Sequence, residues 1–190
     1  MASVMPIKPE PELKRDLVAL LANDFEIVPE AEGHWPLNGS KCLLDFLLRP
    51  KPHIVEKGFR AAAFGVEVKS PISSESVKKL LDCVLQSYTY TLCEFSGVRP
   101  DFVLVYPEIQ YFFDYDFRVK YKGNERSKYK TEEVKIVRRL MQRANVGELV
   151  MSEHGCYEIR FAASRYFDPI RGQTRVENLG TTRRVGSRKL

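Results

Sequence analysis

Residues 64–71 read FGVEVKSP, so Glu67 and Lys69 alternate with Val66 and Val68. In a β-strand, side chains two apart project from the same face. A carboxylate and an ammonium therefore sit side by side, with the valines on the opposite face. Just upstream, Ala61, Ala62, Ala63, Phe64 and Val66 occupy both parities, so both faces of this strand read as covered. Such a charged pair is costly to bury unless it binds something. Asp45, within the apolar run 43–48 (LLDFLL), adds a second carboxylate in a strand that is otherwise fully apolar. If the two strands pair as an antiparallel hairpin, Asp45 and Glu67 come near each other across it. Two carboxylates at close range repel, and a hard divalent cation relieves that repulsion. The bland alternatives are a polar strand face in solvent for Glu67 and Lys69, and a buried salt bridge from Asp45 to an arginine.

The Glu-x-Lys spacing also occurs at Glu12–Lys14 and Glu133–Lys135. Both fall in expected helices, where residues two apart point about 200° from each other and cannot share a ligand. Gln86 and Tyr90 are four apart in a third expected helix and so share a face. They extend a line of Lys79, Cys83, Gln86, Tyr90 and Cys93, polar but weakly charged, which suits contact with a site as well as an exposed face. Pro100–Asp101 follows Glu67–Lys69 in the chain and reads as a turn before the next strand, not as a metal ligand.

The expected elements position these residues in a definite order. Pro11 opens a helix through about Asn23, with Leu13, Leu17, Leu20 and Leu21 at helical spacing. A short strand over 25–28 and a turn-rich patch over 30–40 follow, then strands over 41–48 and 59–69. A helix capped near Ser73 or Ser74 runs to about Phe95, with Val77, Leu80, Leu81, Val84, Leu85 and Tyr88 expected inward. Next come a buried strand over 102–106 and a helix over 131–145 with Val134, Val137, Leu140 and Met141 inward. Strands near 148–151 and 157–162 complete the order. Helices and strands alternating in this way predict an α/β fold around a central mixed sheet.

The chain has 190 residues, 44% hydrophobic and 29% charged, as expected of one globular domain over 1–170. No apolar stretch has the length of a membrane span and the first residues do not resemble a secretory signal, so an intracellular protein without a membrane partner is expected. Cys42, Cys83, Cys93 and Cys156 form no C-x-x-C pair, which argues for reduced structural thiols. The net charge of +5 is concentrated in residues 171–190, where Arg171, Arg175, Arg183, Arg184, Arg188 and Lys189 face only Glu177. This segment reads as a flexible basic tail, either solubilising or contacting the phosphates of nucleic acid. The aromatic run 111–117 (YFFDYDF) can stack on bases, bury at a subunit contact or fill the core.

Asp45, Glu67-x-Lys69 and Gln86-x-x-x-Tyr90, taken in order, resemble the PD-(D/E)XK nuclease superfamily, which has the restriction-endonuclease-like fold. The Gln-x-x-x-Tyr element is similar to that of RecB-type and lambda-exonuclease-like nucleases. Leu44 stands where the family often has proline. The resemblance covers about residues 12–106 and implies an α/β/α core and cleavage of DNA. It implies that Asp45, Glu67 and the Val68 carbonyl bind Mg²⁺ or Mn²⁺, which polarises the scissile phosphate and activates a water. Lys69 then positions that water or stabilises transition-state charge, and Gln86 and Tyr90 orient the lysine, the water or the nucleic acid. The family often has a further acid or histidine ahead of the aspartate, for which Glu12, Glu30 and His34 are the candidates. A nucleic-acid-binding accessory protein without catalysis, on the same fold, is the alternative function.

Overall fold

The computed structural model describes residues 8–121, 128–151, 155–162 and 164–173. In chain order the elements are α1 (Glu10–Leu21), β1 (Phe25–His34), β2 (Lys41–Pro50), α2 (Pro52–Glu56), β3 (Phe64–Val68) and α3 (Ser76–Tyr90). They continue with β4 (Glu94–Phe95), β5 (Val103–Tyr106), α4 (Ile109–Tyr121), α5 (Lys128–Arg143), β6 (Val146–Met151), β7 (Tyr157–Phe161), β8 (Ser164–Asp168) and β9 (Gly172–Gln173). The nine strands form one mixed sheet in the order β4-β1-β2-β3-β5-β6-β7-β8-β9. β3, β5 and β6 run parallel, with α3 crossing from β3 to β5, and every other pairing is antiparallel. The chain is thus an α/β protein, and no helix among the described residues is long and apolar enough to cross a membrane.

The parallel centre has helices on both faces, which is why β3 and β5 are buried at every position. On one face, Leu13, Leu17 and Leu21 of α1 repeat at i, i+4, i+8 and meet Phe46, Leu48, Val66 and Val68. On the other face, Leu80 and Cys83 of α3, Phe112 and Phe113 of α4, and Val134, Val137 and Met141 of α5 close over Val105 and Val146. The sheet curls around the first core, so that β9 reaches the chain after α2 and β7 reaches the chain just before β1. Gln173 Oε1 accepts from the Arg60 amide at 3.1 Å, and the Tyr157 hydroxyl donates to Asp24 Oδ2 at 2.8 Å. Phe59 sits inside this curl, with its ring centroid 5.5 Å from that of Phe64 and 5.0 Å from that of Phe167.

Several expectations need correction. β1 extends through His34, into the patch read as turns, because its residues 31–34 pair with 41–44 of β2. β3 is shorter than the run 59–69, since 59–63 approach the sheet as irregular chain. α2, β4, α4, β8 and β9 have no counterpart in the expected order; α3 starts at Ser76 without a side-chain cap and ends at Tyr90, so β4 forms where the helix was expected to continue. α4 forms from the aromatic run, burying Phe112 and Phe113 as core, with Tyr111 and Tyr115 half-buried; the side chain of Phe117 lies outside the described residues. α3 is rotated from the expected orientation: Leu81, Leu85 and Tyr88 are exposed, while Ser76, Leu80, Cys83, Ser87 and Tyr90 face inward. Those mostly small inward residues let the helix lie close to β3 and β5, and the bulkier leucines move to its outer side. Leu140 of α5 is likewise exposed. The sheet continues to Gln173, inside the segment read as tail, and residues 174–190 lie outside the described residues.

Replacing Phe59 by alanine removes the ring on which five other aromatic residues pack. Urea denaturation of Phe59→Ala is expected to show a loss of about 3–5 kcal/mol with an unchanged m-value.

Candidate metal-binding and catalytic site

The site begins at a switch of faces in the β1–β2 hairpin. Phe25 and Ile27 of β1, and Phe46 and Leu48 of β2, pack into the core on the α1 side. Ala31 and Leu44, of the same parity in their strands, pack instead with Tyr90, Phe95 and Val103 on the α3 side. The change falls at Glu30 and Asp45, where the ladder is interrupted between the pairs Pro29↔Phe46 and Ala31↔Leu44, and Glu30 has φ +47°. Leu44 is thereby turned over Gly65, where an added Cβ would lie 2.9 Å from Leu44 Cδ2 and would push that side chain aside. Asp45 is left at the twist point, at the end of its pairing with β3. Continuing the register Phe46↔Val66 by one residue sets Asp45 opposite Glu67.

At that point the carboxylate replaces a strand: Asp45 Oδ2 accepts from the Val68 amide at 2.8 Å. Asp45 Oδ1 accepts from Lys14 Nζ of α1 at 2.6 Å, and the same ammonium lies 3.4 Å from Glu10 Oε1. The expected competitor for Asp45, an arginine, is thus a lysine. Burial opposes the charge on Lys14, but Asp45 and Glu10 more than offset it and raise its pKa. Lys14 was set aside in the sequence because its partner by spacing, Glu12, points elsewhere. Its actual partners are one turn back in α1 and in a strand far along the chain, which no local spacing reveals.

Glu67 is 1% exposed. Its Oε1 lies 3.0 Å from Lys69 Nζ, while Oε2 is buried without a hydrogen bond. Burial raises its pKa to about 7 and the Asp45 charge adds to this, against the opposing pull of Lys69 and the nearby Asp45 amide. Lys69 keeps its charge: burial acts against it, but Glu67 prevails, helped by Glu10 and Asp45, and its pKa rises. Another glutamate on the same sheet provides the comparison. Glu148 is equally buried but fully satisfied, accepting from Arg138 at 2.7 Å and 3.1 Å and from the Ile109 amide at 3.1 Å. Glu148 fastens α4 and α5 to β6; Glu67 has an oxygen to spare.

Gln86 and Tyr90 share the inner face of α3, as their spacing requires. Gln86 Nε2 donates to the Tyr90 hydroxyl, which donates to the Leu43 carbonyl at 2.6 Å. The pair therefore holds β2 two residues before Asp45 and makes no hydrogen bond to Lys69. Burial, then the Glu67 charge, raises the Tyr90 pKa to about 12, so the phenol remains a donor.

No family model, curated protein or solved structure matches this chain.

The donor set is what the site offers for identification. Asp45 and Glu67 interact electrostatically, and their oxygens suit a hard divalent cation. The spare oxygen of Glu67 fits such an ion. Among the described residues no three His, Cys, Asp or Glu side chains are grouped to hold a metal in this arrangement. Of the candidates for a third ligand, Glu12 and Glu30 are exposed, and His34 is exposed at 3.9 Å from Glu94. The acid that does reach the site is Glu10, whose charge acts on both Lys14 and Lys69. Pro100–Asp101 is a turn, with Asp101 Oδ2 accepting from the Ala62 amide at 2.8 Å. A cleft of about 530 Å³ between His34, Lys41 and Leu43 lies farther along the hairpin and contains neither Asp45 nor Glu67.

The raised pKa of Glu67 has a measurable sign. The folded protein holds this proton up to about pH 7, whereas an unfolded glutamate loses it near 4.3. Stability in EDTA should therefore fall as pH rises from about 4.5 to 7 and then level off. Glu67→Gln should remove that fall and stabilise the metal-free protein at pH 8 by roughly 1–3 kcal/mol, read from urea titrations across pH.

Proposed function

We propose that this protein is a metal-dependent nuclease that hydrolyses phosphodiester bonds of DNA on a restriction-endonuclease-like fold. The observation that carries the reading is Glu67: a fully buried carboxylate with one oxygen unsatisfied, opposite Asp45 and bonded to Lys69. A purely structural acid at that depth is expected to be saturated, as Glu148 is. The order α1, β1–β3, α3, β5, with β5 parallel to β3, supports the fold assignment.

In this reading Asp45, Glu67 and the Val68 carbonyl hold Mg²⁺ or Mn²⁺, with Glu10 the nearest further carboxylate. The ion supplies a Lewis acid for the phosphate and a water of lowered pKa. The protein supplies the rest. Lys69, kept cationic by Glu67, places a fixed positive charge beside the reacting phosphate, where charge develops in the transition state. Gln86 and Tyr90 fix β2 through the Leu43 carbonyl and so fix Asp45. The helices over both faces bury Glu67, while Asp45 and Lys69 remain partly exposed.

A second reading, a nucleic-acid-binding protein without catalysis, is favoured by one observation: both carboxylates already have a lysine partner. An assay on single-stranded, duplex and circular DNA and on RNA, with Mg²⁺, Mn²⁺ or EDTA, separates the two. The nuclease reading expects metal-dependent cutting that falls at least about 10³-fold in Glu67→Ala and in Lys69→Ala, with cooperative thermal melting retained. Undiminished cutting by folded Glu67→Ala would refute it. Salt-dependent DNA binding with no cutting under any metal would favour the second reading.

A further inference from the structure

We propose that Lys14 is a tethered counter-cation: it occupies the place of the divalent ion in the metal-free protein and is displaced when the ion binds. This rests on the metal-dependent reading above and adds to it how occupancy of the site is controlled.

The geometry points to substitution, not coexistence. Asp45 has two oxygens, and the Val68 amide takes Oδ2 at 2.8 Å. Oδ1 is the oxygen left for a cation, and Lys14 Nζ holds it at 2.6 Å. The same ammonium lies 3.4 Å from Glu10, so it bridges carboxylates from a helix and a strand, as a bound ion does. A divalent ion and an ammonium on one carboxylate oxygen repel, so the incoming ion needs Lys14 to leave. Lys69, just past the end of β3, is bonded to Glu67 and not to Asp45.

The lysine makes the empty site stable and sets its metal affinity low, because each binding event must break a salt bridge that is only partly solvated. By linkage, whatever Lys14 contributes to the metal-free fold is subtracted from metal binding. Once displaced, its four-carbon stem keeps the ammonium at the rim, available to a phosphate oxygen of the substrate.

The test is Mn²⁺ binding without DNA, measured by electron paramagnetic resonance and calorimetry on wild type, Lys14→Met and Arg15→Met. Arg15 is an exposed α1 neighbour, so its variant controls for the general loss of one positive charge. Lys14→Met should bind Mn²⁺ about tenfold more tightly than wild type and Arg15→Met within about twofold. In EDTA, Lys14→Met should melt below wild type, and Mn²⁺ should raise its melting temperature by more. Lys14→Gln serves the same comparison if the methionine variant does not fold. Affinity in Lys14→Met no higher than in Arg15→Met overturns the proposal. If wild type still cuts DNA with Mn²⁺ in that case, the nuclease reading stands and only the role of Lys14 falls. If neither wild type nor variant binds Mn²⁺ and wild type cuts nothing, both fall.

Discussion

The arrangement depends on one constraint: a carboxylate has to be held in the middle of a sheet that is dry on both faces. Glu67 is 1% exposed because β3 lies between β2 and β5 with α1 below and α3 above. Its surroundings and two neighbouring charges act on it. Burial raises the cost of the charge, Asp45 raises it further, and Lys69 returns part of it. Opening the site to water or removing Asp45 would bring Glu67 back toward an ordinary acid, whereas losing Lys69 would raise its pKa further. The small inward residues of α3 belong to the same constraint, since they let the helix close the face over β3 and β5.

Glu67 and Glu148 show how one sheet treats two buried acids differently. Glu148 meets Arg138, whose planar fork matches both its oxygens, and the first amide of α4. That arrangement has no capacity left and serves to join helices to strand. Glu67 meets a lysine, a point charge that satisfies one oxygen only. The choice between arginine and lysine as partner separates an acid that fastens the fold from one that can still take a ligand.

Much of this was legible in the sequence because it is local. The alternation at Glu67 and Lys69, the i, i+4 spacing of Gln86 and Tyr90, and the leucine repeat of α1 all follow from the geometry of single elements. The α/β class follows from their order. What escaped depends on contacts between elements. Lys14 and Glu10 reach the site only because α1 crosses the sheet at β3, and no spacing within residues 10–14 indicates that. The orientation of α3 was misjudged because hydrophobicity favours Leu81 and Leu85, whereas close approach to the strands favours Ser76, Cys83 and Ser87. The aromatic run at 111–117 has too little periodicity to declare a helix, and it became one on docking Phe112 and Phe113 into the core. β8 and β9 are short and gain their place from the curl of the sheet.

That curl also governs how the molecule meets others of its kind. A wide sheet normally ends in a long row of unpaired amides and carbonyls, a template on which another chain can add a strand. Here the outermost strands of the described sheet are β4 and β9, each only two residues long. The β9 end is further occupied by the chain after α2, through Arg60 and Lys57. β1 is the exception: β4 pairs with it only at Gly33 and His34, so its residues 25–32 keep an edge that no described strand covers. A chain adding a strand there would meet the exposed Glu26, Pro29 and Glu32, charges and a proline that make this edge a poor template.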